Sequence, residues 1–287
     1  VPFTLINKLF QLKNRCKSAL ENYLDLPLVL NHLVVQNIKS DSKYQDPRHL
    51  TPYGFKMYSQ TDEDGILREI FNRVGAPHKT FVEFGVENGL ENNTVALLLE
   101  GWSGLWLECS GEHVRSIQKN LSTIISRGRL NIQQAIVTKE NINDLLASHA
   151  SAENIDLLSI DIDGNDFYVF DALLSSVRPR VIVIEYNAKF IPPILFCMPY
   201  NPDHFFDRTD YYGASLKFLE VHFSEKGYTL VGCVITGTNA FFVRNDLVGD
   251  AFLTPCTAEM HYEPNRSFLV GLKSGFPPSY KVLNNMS

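Results

Sequence analysis

The chain has 287 residues, 45% hydrophobic and 20% charged, a composition that excludes disordered and fibrous classes and leaves ample length for a full core. Its formal net charge of −6 argues against a nucleic-acid partner held by bulk electrostatics, because phosphate binding wants a basic surface. No run approaches the roughly 18 apolar residues of a membrane span, and the five cysteines lack C-x-x-C spacing, so small buried thiols are expected rather than a zinc site or a disulfide framework.

Apolar residues at helical spacing (Leu5, Leu9, Phe10, Leu12, Leu20, Leu24) predict one or two helices from Leu5 to Leu33, interrupted near Pro27. The polar stretch Lys39 to Tyr53 reads as a linker, so residues 1–50 form an N-terminal extension ahead of a main domain over 51–250 and a tail over 251–287. The chain begins at Val1 without methionine, which suggests processing. A cytoplasmic location is the default expectation, with the secretory-pathway (Golgi) lumen as the alternative if a signal or anchor preceded Val1.

Ser59-Gln60-Thr61-Asp62-Glu63 supplies capping residues before Ile66, Leu67, Ile70 and Phe71, which predicts a helix from about Thr61 to Val74. Strands and helices then alternate. The strands are Thr80 to Phe84, Gly104 to Leu107, Asn131 to Val137, Ile155 to Ile160 and Arg180 to Glu185; the helices between them are Asn93 to Glu100, Glu112 to Leu121, Ile142 to Ser148 and Phe167 to Leu174. This rhythm predicts an α/β fold with a mostly parallel sheet and helices on both faces. After a helix from Ala214 to Glu225, Tyr228 to Val234 and Ala240 to Arg244 flank Gly237-Thr238-Asn239 and read as a closing antiparallel hairpin. The proline-rich and aromatic segment Ile191 to Gly213 is too long for a simple connection and is expected to form a lid or substrate wall.

Chemistry concentrates at two strand ends. Glu83-Phe84-Gly85-Val86-Glu87-Asn88-Gly89 lacks the second glycine of the dinucleotide fingerprint, which suits a ligand without a diphosphate. Glu83 is placed to accept from an ammonium or a water. Glu108 ends the second strand 19 residues after Gly89, the spacing at which a carboxylate grips ribose hydroxyls. With Asp161 at the fourth strand, these acids form the pattern of S-adenosylmethionine binding in class I methyltransferases.

Ser59-Gln60-Thr61-Asp62-Glu63-Asp64-Gly65, Glu83-Phe84-Gly85, Asn93-Thr94, Gly101-Trp102-Ser103-Gly104, Asp161-Ile162-Asp163-Gly164-Asn165-Asp166, Tyr212-Gly213-Ala214-Ser215-Leu216 and Asn239-Ala240-Phe241-Phe242-Val243-Arg244 carry a wider resemblance. Over roughly Met57 to Leu247 the chain resembles the FkbM-type methyltransferases. The resemblance implies a Rossmann-like class I fold with a seven-stranded sheet. It also implies an S-adenosylmethionine-dependent O-methyltransferase whose acceptor is a hydroxyl on a carbohydrate, glycoconjugate or polyketide. By position, Gln60, Glu83, Gly85, Asn93, Thr94, Glu108 and Asp161 would line the cofactor. Asp163 and Asp166 stand where many relatives carry glutamate, which keeps the acid and shortens its reach.

Methyl transfer to a hydroxyl needs a base, and the candidates are Asp163, His204 and Glu185. Asp161, Asp163 and Glu185, with Asn187 nearby, are also hard oxygen ligands that would suit Mg²⁺ or Mn²⁺ bridging acceptor oxygens. Rival readings of Asp161-Ile162-Asp163-Gly164 are a phosphatase nucleophile turn, in which Asn165 replaces the expected threonine, and a metal-dependent D-x-D glycosyltransferase. A nucleoside-binding module without turnover is the non-enzymatic alternative.

Overall fold

Seven strands form one sheet in the order β3-β2-β1-β4-β5-β7-β6. They are β1 (Thr80–Phe84), β2 (Ser103–Glu108), β3 (Leu130–Gln134), β4 (Leu157–Ile160), β5 (Val181–Glu185), β6 (Tyr228–Cys233) and β7 (Asn239–Arg244). The structure is a computed structural model describing residues 29–147, 154–173, 177–269 and 278–284. The first five strands pair in parallel, as the alternation predicts. The hairpin closes the sheet with a twist in its order: β7 inserts between β5 and β6 and runs antiparallel to both.

The strands are short and apolar on both sides because helices cover both faces. Period-two alternation divides their side chains between two clusters. Val82, Phe84, Leu158, Ile160, Ile182 and Ile184 pack on one face with Phe170, Phe223 and Tyr228. On the other, Phe81, Trp106, Leu157, Val181, Val183 and Phe241 meet Ile66, Leu67 and Ile70 of the helix Glu63–Val74. That helix begins two residues later than its sequence suggests. Ser59 and Asp64 bond reciprocally, and the Asp64 carboxylate also accepts from the main-chain N–H groups of Met57, Tyr58 and Ser59, so the first turn of the helix fixes the entry loop that holds Ser59. Ser110 and Ser215 cap the helices Gly111–Asn120 and Leu216–Glu225 through their side-chain oxygens.

Two compact units divide the chain, Val1–Gln45 and Asp46–Ser287. In the first, residues 29–39 are helical and Ser42–Tyr44 form a 3-10 turn. The helices expected between Leu5 and Pro27 lie outside the described residues. No described helix is long and apolar enough to cross a membrane.

The parallel strands step outward from β1 in both directions, to β2 and β3 on one side and to β4 and β5 on the other. In an open α/β sheet this reversal leaves a crevice at the carboxyl ends of the strands, between β1 and β4.

Candidate active site

A cleft of about 680 Å³ opens at that switch point. Gln60, Glu83, Gly85, Asn93, Glu108, Asp161, Asp163, Glu185 and His204 line it, which brings most of the sequence-derived candidates to one place. Thr94 is the exception. Fully buried, it donates its hydroxyl to Glu83 and accepts from Trp106 Nε1 at 2.8 Å, so it lies beneath the cleft, not on its surface. Asn239 was missed as a site residue; only the strand register, which sets it opposite Glu185, brings it to the wall.

Glu83 has a different task from the one its position suggests. Its two oxygens accept from Asn92 Nδ2, the N–H groups of Asn93 and Thr94, and the hydroxyls of Thr94 and Ser159. These five donors bind the loop after β1 to the strand end and occupy the carboxyl group that an incoming ammonium would need. Burial pushes Glu83 up to about 7, against the downward pull of its donors.

Gly85 is held at φ +73°, and a Cβ there would fall 1.8 Å from the Asp161 carbonyl oxygen, so no other residue lets β1 and β4 approach this closely. Glu87, at φ 46°, donates its N–H to Glu108 Oε2 at 2.8 Å, while Glu108 Oε1 accepts from the Ser110 N–H at 2.8 Å. Glu108 therefore joins the β1 and β2 loops while lining the cleft.

The second strand end carries the unpaired charge. Asp166 accepts from the Ile162 and Gly164 N–H groups at 2.9 and 2.8 Å, drawing the loop into a turn with Asp163 in the left-handed region at φ 58°. Burial raises Asp166 to about 6. The turn gathers the carboxylates of Asp161, Asp163 and Glu185 so that one oxygen of each lies within 4.8 Å of the others. None of the three has a hydrogen-bond donor among the described residues. Asp161 is reached by water across the open cleft yet ringed by protein. Burial first, then Asp166, Asp163 and Glu83, push it well above the usual carboxylate range. Glu185 is raised by burial and then by Asp161, Asp166 and Asp163. Asp163 is raised by burial and opposed by the nearby His204.

His204 sits 3.2 Å, through Nε2, from the main-chain oxygen of Asp163. A carbonyl only accepts, so Nε2 carries the proton and Nδ1 is the basic nitrogen of the neutral ring. The ring rests against Gly164, where a Cβ would meet Cδ2 at 2.4 Å. The segment over residues 191–213 that delivers His204 has no helix or strand apart from a bridge between Cys197 and Ala214, and forms the expected wall. Asn165 Nδ2 donates to the Asn201 carbonyl, Tyr168 to that of Met198, and Asn187 Nδ2 to those of Asp210 and Tyr212. Phe190, just ahead of the wall, stacks on its Phe196, whereas Phe205 and Phe206 line the cleft and are 77% and 44% exposed.

Residues 39–229 match the profile of the Methyltransferase FkbM domain. The chain belongs to the FkbM methyltransferase family. In this FkbM methyltransferase the Asp161-Ile162-Asp163-Gly164 turn follows β4 of a methyltransferase sheet, which removes the context that a phosphatase or glycosyltransferase reading of the motif requires. No curated protein matches the chain. Among solved structures, it is similar to an O-methyltransferase from Bacillus cereus in complex with SAH, at 15% identity and TM-score 0.40 over 78% of this chain and 95% of that one. A SAM-dependent methyltransferase from Geobacter sulfurreducens shares 13% identity at TM-score 0.37, over 61% and 68% of the two chains. The glycopeptide N-methyltransferase MtfA complexed with sinefungin shares 14% at TM-score 0.40, over 66% and 87%.

The cleft of the FkbM methyltransferase fits the family's cofactor, S-adenosylmethionine. Its volume is that of a small-molecule site. It is lined by acidic and amide acceptors suited to ribose hydroxyls and an ammonium, and Asn92 Oδ1 and Asn239 Oδ1 are buried without a hydrogen-bond partner.

Proposed function

We propose that this FkbM methyltransferase transfers a methyl group from S-adenosylmethionine to a hydroxyl of a carbohydrate or glycoconjugate. The observation that carries the reading is the shared cleft, in which His204 faces the same space as the acids ending β1, β2 and β4. Glu108 would take the ribose hydroxyls, with Ile136 and Val137 beside it offering apolar surface to adenine. Gln60 and Asn93 would face the methionine end, and Gly85 keeps the backbone there free of a side chain. When bound, the cofactor supplies a methyl group on a sulfonium that leaves as a neutral thioether.

The chain's own task is to hold the acceptor oxygen in line and remove its proton. His204 Nδ1 takes that proton as the oxygen–carbon bond forms, and the Asp163 carbonyl, fixed by the Asp166 turn, holds the imidazole in the required tautomer. Phe205 and Phe206 offer the apolar faces on which sugar rings stack.

Calorimetric titration with S-adenosylmethionine and S-adenosylhomocysteine should show one site for each, and failure of both to bind would overturn the reading. Labelled methyl transfer to a panel of glycans and amines should favour hydroxyl acceptors. In the same assay His204→Gln should lower kcat by on the order of 10²- to 10⁴-fold with cofactor affinity unchanged.

A further inference from the structure

We propose that Asp161, Asp163 and Glu185 hold a divalent cation, Mg²⁺ or Mn²⁺, in the acceptor half of the cleft; the inference rests on the methyltransferase reading and adds a metal to it. The three carboxylates present oxygens within 4.8 Å of one another. An ion about 2.1 Å from each ligand spaces them by roughly 3 to 4 Å, so small side-chain rotations close the site. They project from adjacent parallel strands, Asp161 and Asp163 after β4 and Glu185 at the end of β5, so the sheet itself sets their spacing.

A second, independent feature points the same way. Asn239 is 5% exposed and donates Nδ2 to Glu63 at 3.0 Å, while its Oδ1 has no partner. It stands directly opposite Glu185 in the β5–β7 pair, and cross-strand partners share a sheet face, so this buried acceptor lies on the face of the acids and lines the same cleft. A buried carbonyl oxygen lining the same cleft as three carboxylates without donors adds to an all-oxygen environment, which hard cations prefer.

S-adenosylmethionine carries an ammonium, a sulfonium and a carboxylate, a net charge of one positive, and no Lys or Arg side chain forms an ion pair with the three acids among the described residues. A divalent ion supplies a cation at the place where the acceptor oxygen must lose its proton, and by polarising that oxygen it eases transfer to His204.

Mn²⁺ titrated into the full chain without cofactor, followed by electron paramagnetic resonance, should show one bound ion that Mg²⁺ displaces. Asp161→Asn, Asp163→Asn and Glu185→Gln should each weaken Mn²⁺ binding at least tenfold, with thermal unfolding confirming that each variant folds. Excess EDTA should abolish methyl transfer and leave S-adenosylmethionine binding measurable by calorimetry. Absence of bound Mn²⁺, Mn²⁺ binding indifferent to all three substitutions, or full turnover in EDTA would overturn the metal site. Loss of cofactor binding alone would instead overturn the methyltransferase reading.

Discussion

At the end of β1, burial raises Glu83 from an ordinary 4.5 to about 7 although five donors surround it. The sign follows from proton counting. Between these values the folded chain keeps a proton that the unfolded chain has lost, so stability is greatest below about 4.5 and falls as pH rises towards 7. The loss from this one group is roughly 3 kcal/mol. Glu83→Gln removes the ionisation, so its thermal midpoint should decline less than that of the wild type between pH 4.5 and 7; parallel declines would refute the assignment. Glu83 also shows why residue roles are hard to read in a sequence. An acid ending a strand before Gly85 advertises a ligand, but its partners come from Asn92 to Thr94 and from Ser159 on another strand, and spacing alone says nothing of who donates to whom.

The elements themselves were legible because each carries its own signal. Thr80–Phe84 emerges with its expected bounds, and the helices expected from Glu112 and Ala214 begin at Gly111 and Leu216, each just after a serine cap. What the pattern could not supply is order. Nothing local to Asn239–Arg244 says that it pairs with β5 as well as with β6, since that choice is made by burial of Phe241 and Val243 on the sheet face they share with Val183 and Val181 of β5. The wall over residues 191–213 was legible as a prolonged loop but not in its course, which depends on a few polar anchors. Asn165 is one, bonding Asn201 through both its amide nitrogen and its oxygen. Losing that pair at about 1 kcal/mol per bond should speed amide exchange over residues 198–206 by roughly 5- to 30-fold in Asn165→Ala. Unchanged exchange there would show that the wall is held elsewhere.

Across the main unit, stability rests on apolar layers on both faces of one sheet. Phe223 stacks on Phe170 at 3.8 Å between ring centres, and both are fully buried beneath the sheet face that carries Phe242. Phe223→Ala should therefore cost about 3 to 5 kcal/mol in denaturant unfolding, a large share of the roughly 5 to 15 kcal/mol that sustains a domain; a cost under about 1 kcal/mol would mean the layer closes over the gap. This layered sheet is also why the acids at the strand ends could be read as one site from sequence: two-residue alternation sends Glu83, Ser159 and Val183 to a common face, and Asp161 and Glu185 follow two residues on. The wall obeys another rule. Asn165, Tyr168 and Asn187 grip it chiefly by main-chain carbonyls, those of Asn201, Met198, Asp210 and Tyr212. Every residue has such a carbonyl. The side chains of Asn201, Asp210 and Tyr212 take no part in these particular bonds, so those positions can drift in sequence and take up new acceptors while the scaffold beneath stays as it is.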